Sequence, residues 1–294
     1  MSRIAVTTDS NSGITQAQAK AIGIRVIPMS FAIGSDDYLE DVSLSREAFF
    51  EAQAAGKDVV SSQAAPGALM EVWEDLLNDY DDIIHIPMSS AISGCCATAQ
   101  AIAEDYDGRV HVLDNHRISV TQKQSVLQAK KLADESKSAQ EIMDLLNKYA
   151  MDASIYIVVD TLKYLKKSGR VTPTAAALGT VLKVKPVLQI QGGKLDAFAK
   201  ARGLKLAKEK IIHAIRDDME NRFAGQNVII KGAYSSLTDE QAQDWINQLE
   251  AEFPGYKVAL DPLSLNVCCH TGPGAVGAAL MVTPDEIGDV DFEI

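Results

Sequence analysis

The stretch "IPMSSAISGCCATA", residues 86–99, decides the fold. It continues the apolar segment "DIIHIPM" (82–88) and leads into the helical pattern "CCATAQAIAEDY" (95–106). An apolar run, a loop of small hydroxyl residues and a helix, in this order, are typical of one strand–helix unit of a parallel sheet. Ligands of such sheets bind beyond the carboxyl ends of the strands, where this loop lies.

The first half of the chain repeats this alternation. The strand-like segments "RIAVTTD" (3–9), "RVIPMSFAI" (25–33) and "RVHVLD" (109–114) are separated by amphipathic helical patterns. This order predicts an α/β domain over residues 1–155, with a mostly parallel sheet and helices on both faces. The ends of its strands, including "VSSQAA" (60–65), are rich in hydroxyl side chains that a ligand could meet.

The second half has a different pattern. Strand candidates such as "SIYIVV" (154–159), "KPVLQI" (185–190) and "NVIIKGAYSS" (227–236) follow each other with few helices between them. The Gly-Gly pair in "QGGK" (191–194) indicates a hairpin turn. We therefore expect a second domain, of α+β type with a mixed sheet, over residues 156–294.

Bulk composition excludes several function classes. The 294 residues carry a formal net charge of −12, whereas a nucleic-acid partner calls for a basic face. No apolar run approaches the roughly 20 residues of a membrane-spanning helix, and the first residues show no secretory signal. We expect a cytoplasmic protein without a nucleic-acid partner, in at most transient contact with a membrane surface.

The cysteines form two adjacent pairs, at 95–96 and 268–269. This spacing differs from the CxxC pattern of zinc sites and from a secreted disulfide framework. We expect reduced, buried thiols and no metal ion. Three glycines, Gly272, Gly274 and Gly277, match G-x-G-x-x-G, but a strand-like segment follows them instead of a helix. Neither a dinucleotide nor another cofactor is expected.

Two interpretations of Ser93 are open. Ser93 could be a nucleophile paired with His270, although the loop does not match the G-x-S-x-G elbow of hydrolases. Alternatively, Ser93 is the N-cap of the following helix and Gly94 lets an anion approach the free N–H groups of its first turn. His270, in "CCHTGPGA" (268–275), is expected on a glycine-rich loop that carries binding residues.

Several motifs in the right order resemble the DegV family of bacterial fatty-acid-binding proteins. The motifs are "TTDSNS" (7–12), "SSQAAP" (61–66), "SSAISGCCATA" (89–99), "LKYLKKSGRV" (162–171), "VKPVL" (184–188), "KARG" (200–203) and "HTGPGAVG" (270–277). The resemblance implies a carrier that holds a long-chain fatty acid in an apolar tunnel between two domains. It also implies that a separate kinase subunit converts the bound acid into an acyl phosphate for phospholipid synthesis.

The resemblance also assigns the site residues. It implies that Ser61 and Ser93 bind the carboxylate beside Gly94, with Arg202 and His270 as supporting groups. The further supporting residues it suggests are Ser62, Cys95 and Thr271. The leading hypothesis is thus a lipid-binding carrier that is not itself an enzyme and contains no metal. A serine-dependent acyl hydrolase that uses Ser93 and His270 is the alternative.

Overall fold

The computed structural model of the chain describes residues 2–177, 184–288 and 290. Within them the chain forms strands that belong to three sheets, and helices that cover these sheets. The strands are β1 (Ile4–Asp9), β2 (Arg25–Ile27), β3 (Ser30–Ile33), β4 (Asp36–Leu39), β5 (Val59–Ser62), β6 (Asp82–Ile86), β7 (Val110–Val112), β8 (Ala153–Val158), β9 (Val184–Ile190), β10 (Asp196–Arg202), β11 (Val228–Tyr234), β12 (Val258–Pro262) and β13 (Val276–Val282). The α-helices are α1 (Gln16–Ile22), α2 (Arg46–Ala54), α3 (Pro66–Leu76), α4 (Cys95–Ala103), α5 (Val120–Asp134), α6 (Ala139–Lys148), α7 (Lys163–Ser168), α8 (Pro173–Ala177), α9 (Leu204–Asp217), α10 (Asp239–Glu252) and α11 (Leu265–Thr271).

The first sheet is parallel throughout, in the order β2-β1-β6-β7. Its central strands β1 and β6 are buried because helices cover both faces. Val126 of α5 and Ile142 of α6 pack on one face, and Trp73 of α3 and Ala99 of α4 pack on the other. This arrangement confirms the parallel α/β architecture that the alternating sequence pattern predicts.

One predicted strand is two strands in the structure. The segment 25–33 divides at Pro28 into β2, which joins the parallel sheet, and β3, which joins a small antiparallel sheet in the order β4-β3-β5. Proline has no N–H to donate, so it interrupts a strand at the point where the chain changes sheets. The segment "VSSQAA", interpreted as the end of a strand in the parallel sheet, instead contributes β5 to this small sheet.

The third sheet has six strands in the order β10-β9-β8-β13-β11-β12 and confirms the mixed sheet expected for the second half. All its neighbours are antiparallel except β11 and β12. The predicted hairpin at 191–194 connects β9 to β10, which pair antiparallel. The predicted boundary between residues 155 and 156 falls within β8, and the division into domains 1–155 and 156–294 stays a prediction.

A core of buried apolar side chains lies between the small antiparallel sheet and the six-stranded sheet. It includes Phe31 of β3, Ile157 of β8 and Leu188 of β9, together with Ile118 and Met88 from the loops that follow parallel strands. This core joins the two halves of the chain, and the candidate site lies within it. Every helix of the described residues is too short or too polar to cross a lipid bilayer.

Candidate functional site

A cavity of about 200 Å³ lies where loops of the first half meet helix α11 of the second half. Its lining combines hydroxyl, amide and cationic side chains with apolar ones. Six of the residues predicted for the site line it, namely Ser61, Ser62, Ser93, Gly94, His270 and Thr271. We call it the inner cavity. Residues more than 200 positions apart in sequence thus meet in one place.

Among the described residues, the cationic side chain that lines the inner cavity is that of Arg170, whereas Arg202 does not line it. Arg202 is exposed at the end of β10, while its neighbour Ala201 is only 2% exposed. Successive side chains of a strand point to opposite faces, so the burial of Ala201 directs Arg202 to solvent. Arg170 follows Gly169, whose φ of +68° ends helix α7 and turns the chain toward the cavity. The expected role of Arg202 at the carboxylate therefore has no support from its position.

His270 and Ser61 contact each other across the cavity. The Ser61 hydroxyl lies 3.2 Å from Nε2 of His270, so one of the two groups donates a hydrogen bond to the other. His270 lies in the last turn of α11, and not on the glycine-rich loop expected from the sequence; that loop begins at Gly272. Burial, and secondly the positive charge of Arg170, lowers the pKa of His270 to about 4. The imidazole is neutral at pH 7.

Ser93 does not cap helix α4 in the predicted way. The helix begins at Cys95, and Gly94 is its N-cap. The Ser93 hydroxyl accepts a hydrogen bond from the Cys95 N–H at 3.2 Å and lies 2.9 Å from Cys95 Sγ, to which it donates. Ser93 therefore stands one residue further from the helix than expected, still beside the cavity.

Gly94 leaves the backbone open on the cavity side. Its φ of −78° suits any residue, and an added Cβ would meet only the side-chain oxygen of Gln63, at 3.8 Å. The packing of the protein alone does not require glycine here. The absence of a side chain at a position where the packing would accommodate one is consistent with close approach of a ligand to the backbone.

The buried carboxylate of Asp9 fixes the loops around the cavity. It accepts hydrogen bonds from the Met88 N–H at 2.9 Å, from the Asn11 N–H at 3.0 Å and from the Gln122 amide at 3.1 Å. Burial raises the pKa of Asp9, although these hydrogen bonds act in the opposite direction. Asp9 thereby holds the end of β1 against the loop after β6, which continues into Ser93.

A second buried carboxylate, Glu40, positions helix α11. It accepts hydrogen bonds from the N–H of Leu265, the first residue of the helix, and from the Ser10 hydroxyl at 2.6 Å. Burial raises the pKa of Glu40 to about 7. Because Glu40 and Ser10 belong to the first half of the chain, this contact fixes His270 relative to Ser61.

The apolar side of the inner cavity adjoins a smaller cavity of about 50 Å³. The two cavities share the lining residues Ile118, Leu195, Val267 and Thr271. The smaller cavity lies against the six-stranded sheet, and nearly all of its remaining lining is aliphatic. The remaining residues are Ser119, Val120, Ile155, Ile157, Ile190, Ala233, Leu263, Gly277, Ala278 and Ala279. One end of the combined space is polar and the other is apolar.

The four cysteines are free thiols. Burial raises the pKa of Cys95 to about 11 and that of Cys268 to about 12, and the thiols of Cys96 and Cys269 shift in the same direction. Cys95, a predicted supporting residue, does not line the inner cavity and faces a smaller space beside Asp9. Within the described residues, no group of three or more His, Cys, Asp or Glu side chains could hold a metal ion.

Some cavity residues were not singled out from the sequence as ligands. Arg170 lies in the motif "LKYLKKSGRV" (162–171), to which the sequence assigns no role, and Gln63 and Asn266 are not among the predicted site residues. Gln63 directly follows the two serines of the "SSQAAP" motif, which is a signal that could have indicated it. Asn266 lies on the same helix as His270, one turn earlier, so a helical reading of 265–271 would have placed both on one face.

Comparisons of this chain with family models and with individual known proteins find the same family. A model of one family, described as "Uncharacterised protein, DegV family", matches residues 3–283. A DegV domain-containing protein of Caldanaerobacter subterraneus is 31% identical over 285 residues, which is 94% of this chain and 98% of the relative. A DegV domain-containing protein of Deinococcus radiodurans is 29% identical over 279 residues, with the same coverage of the two chains.

Two solved structures are similar over nearly their whole length. A DegV family protein of Thermus thermophilus, described by its fatty acid binding, has a TM-score of 0.85 and 28% identity over 96% of this chain and 100% of its own. DegV of Bacillus subtilis, described as a fatty acid binding protein, has the same TM-score and coverage at 26% identity.

Proposed function

This chain belongs to the DegV family, and from that premise we propose that it binds one long-chain fatty acid in the space between its two halves. The observation that carries the proposal is that the inner cavity, with its polar groups, lies directly beside the aliphatic cavity. A fatty acid has the same division, with an ionisable head and a long apolar tail. The relatives from Thermus thermophilus and Bacillus subtilis, which are described as fatty acid binding, support the same function.

The tail supplies the affinity. Burial of each CH₂ group contributes about 0.8 kcal/mol, so a tail of about fifteen carbons contributes ~12 kcal/mol before ordering costs. The aliphatic lining from Ile118 to Ala279 offers hydrocarbon contacts for such a tail. Because the aliphatic cavity holds only about 50 Å³, less than a fifteen-carbon tail fills, we expect side chains between the two cavities, such as Leu195, to shift when the tail enters.

The head group requires converging donors, because burial of an unpaired carboxylate costs several kcal/mol. We assign the Ser61 and Ser93 hydroxyls, the backbone at Gly94 and the Arg170 guanidinium to this carboxylate, toward which the Ser93 O–H turns from Cys95 Sγ when the acid binds. Neutral His270, in the tautomer with its proton on Nε2, donates to the Ser61 oxygen and so leaves the Ser61 O–H free to donate to the carboxylate. Each hydrogen bond to the charged group contributes about 1.5–3 kcal/mol, so the set offsets the burial cost.

The chemistry of the bound acid belongs to a partner. We propose that a kinase subunit brings a nucleoside triphosphate, and that a carboxylate oxygen of the fatty acid forms a bond to the γ-phosphorus. The bond from that phosphorus to the β–γ bridging oxygen breaks, and the nucleoside diphosphate leaves with the partner. The carrier positions the carboxylate and keeps the tail out of water.

The geometry gives less support to the alternative, a serine-dependent acyl hydrolase. The Ser93 hydroxyl donates to Cys95 Sγ, and the hydroxyl beside the His270 ring is that of Ser61. A general base near pH 7 needs a pKa close to 7, whereas the pKa of His270 is lowered to about 4. Among the described contacts of His270, no carboxylate orients the ring.

Extraction of the purified protein under denaturing conditions, followed by mass spectrometry of the organic phase, tests the proposal. We expect about one long-chain fatty acid per chain. An empty organic phase, no uptake of palmitate by the protein, and ester hydrolysis that Ser93→Ala abolishes would contradict the carrier function and favour the hydrolase.

A further inference from the structure

A second cavity, of about 360 Å³, adjoins the inner cavity. Ser61, Arg170 and His270 line both cavities, so they form the wall between them. The second cavity is otherwise built from the segment that leads into β5 and from helix α7, and much of this lining is exposed. We call it the outer cleft.

The outer cleft is strongly positive. Four cationic side chains, Lys57, Lys163, Lys167 and Arg170, line it against the single carboxylate of Asp58, which leaves a net charge of +3. This concentration of positive charge lies in a chain whose formal net charge is −12. Asp58 pairs with Lys167 at 2.7 Å, so the positive charge of Lys57, Lys163 and Arg170 is in excess within the cleft. Such a cleft attracts an anion.

The charge exceeds what a carboxylate in the inner cavity needs. The proposed carboxylate site already contains Ser61, Ser93 and Arg170. None of the three lysines of the outer cleft lines the inner cavity. Because Ser61, Arg170 and His270 line both cavities, a group attached to the oxygen of that carboxylate nearest to them would lie beside the outer cleft. Lysine ammonium groups act as mobile point charges and suit the oxygens of a dianionic phosphoryl group.

We propose that the outer cleft is a phosphoryl subsite, in which Lys57 and Lys163 hold the phosphate of a fatty acyl phosphate whose acyl group lies in the inner cavity. This inference rests on the proposed function, because it places the phosphate relative to a bound acyl chain. It goes further in naming the place on this chain where the phosphate binds and the two lysines that hold it.

The experiment compares two ligands on the delipidated full-length chain. Palmitate reports on the inner cavity alone. 2-Oxoheptadecylphosphonate reports on both cavities, since it is palmitoyl phosphate with the anhydride oxygen replaced by a methylene and cannot hydrolyse. The variant is the double substitution Lys57→Gln with Lys163→Gln. A matched control, Lys20→Gln with Lys205→Gln, removes the same charge from exposed positions outside both cavities.

We expect the Lys57/Lys163 double variant to bind the phosphonate at least tenfold more weakly and palmitate within threefold of the wild type. The control is expected to bind both ligands as the wild type does. The phosphonate affinity should also fall more steeply with salt than the palmitate affinity, because exposed lysines are screened. Equal affinity of the double variant and the wild type for the phosphonate would overturn the subsite.

Two further binding measurements distinguish other sources of the phosphate, namely lipid headgroups and free inorganic phosphate. If vesicles that contain phosphatidylglycerol retain the wild type but not the double variant, while phosphonate affinity is unchanged, the cleft binds lipid headgroups and the proposal is wrong. If free inorganic phosphate binds as tightly as the phosphonate, the acyl chain plays no part and the proposal is also wrong. Failure of the wild type to bind palmitate would instead overturn the proposed function.

Discussion

The Ser61 hydroxyl and Nε2 of His270 lie 3.2 Å apart, although 209 positions separate the two residues in the sequence. Strand β5 of the small antiparallel sheet places Ser61, and the last turn of α11 places His270. Two buried carboxylates maintain this relationship, since Asp9 fixes the loop that continues into Ser93 and Glu40 fixes the start of α11. The head-group site therefore depends on how the two halves of the chain pack together.

Removal of either hydroxyl should weaken fatty-acid binding without unfolding the protein. We expect Ser61→Ala and Ser93→Ala each to reduce palmitate affinity about tenfold to a hundredfold, which corresponds to one charge-assisted hydrogen bond. Isothermal titration of the delipidated protein measures this loss. Ser90→Ala, in the same loop but exposed, is the matched control and should bind as the wild type does. Unchanged affinity in the Ser61/Ser93 double variant would refute the head-group assignment.

Arg170 and Arg202 should behave differently. Arg170 lines the inner cavity, so Arg170→Gln should lower palmitate affinity at least tenfold. Arg202 is exposed on β10, so Arg202→Gln should leave that affinity unchanged. The same titration measures both variants, and each serves as the control for the other. A larger loss for Arg202→Gln than for Arg170→Gln would show that the site lies elsewhere.

The aliphatic cavity should set the preferred chain length. Ala233 lines that cavity, and Ala233→Val adds two methyl groups to its space of about 50 Å³. We expect palmitate affinity to fall at least tenfold and decanoate affinity to change by less than threefold. Ala201→Val makes the same change at a buried position in the core that contains Ile211 of α9, which is separate from the core of Ala233. It is the control for destabilisation by overpacking. Equal losses for the two acids would contradict this position of the tail.

His270 should make stability depend on pH below neutrality. Its pKa is about 4 in the folded protein and about 6.5 in an unfolded chain, so only the unfolded chain takes up this proton as the pH falls from 6.5 toward 4. The stabilisation is complete above pH 6.5 and is lost between pH 6.5 and 4, by at most about 1.4 kcal/mol for each pH unit. His85, buried and with a pKa lowered to about 3 by burial, contributes in the same direction.

Urea unfolding at pH 7 and at pH 4.5 checks this prediction. The pKa of Glu40, raised to about 7 by burial, acts in the opposite direction in both proteins. The free energy of unfolding of His270→Gln should therefore fall less, or rise more, between the two pH values than that of the wild type. The free energy of unfolding of His213→Gln, a substitution at an exposed position of α9, should change as much as that of the wild type. An equal fall for His270→Gln and the wild type would mean that His270 titrates normally in the folded state.

The sequence predicts the parallel sheet and the mixed sheet, but not the small antiparallel sheet, and it predicts six of the residues that line the inner cavity. Local rules explain this, because alternation of strands with helices predicts a parallel sheet and short hydroxyl-rich loops mark the ends of its strands. The differences between the predicted and the observed elements are also local. Pro28 divides one predicted strand between two sheets, and α4 begins one residue later than expected, with Gly94 as its N-cap, although the Ser93 hydroxyl accepts a hydrogen bond from the N–H of Cys95.

The sequence alone could not identify Arg170 as the cationic residue at the inner cavity. Lys200 and Arg202 alternate with Ala199 and Ala201 along β10, which is a signal that the two cations face solvent. The position of Arg170 beside Ser61 and His270 arises from contacts between segments far apart in the chain, and no local pattern predicts such contacts. The outer cleft has the same origin, since Lys57 and Lys163 come from different halves.

The most direct test of the carrier function is a titration of the delipidated protein with palmitate labelled with ¹³C at its carboxyl carbon. The account predicts one bound NMR resonance that saturates at one palmitate per chain, distinct from that of free palmitate. Its chemical shift should change in Ser61→Ala and in Ser93→Ala, because both hydroxyls contact the labelled group. Absence of a bound resonance, or a bound resonance that neither substitution alters, would contradict the account.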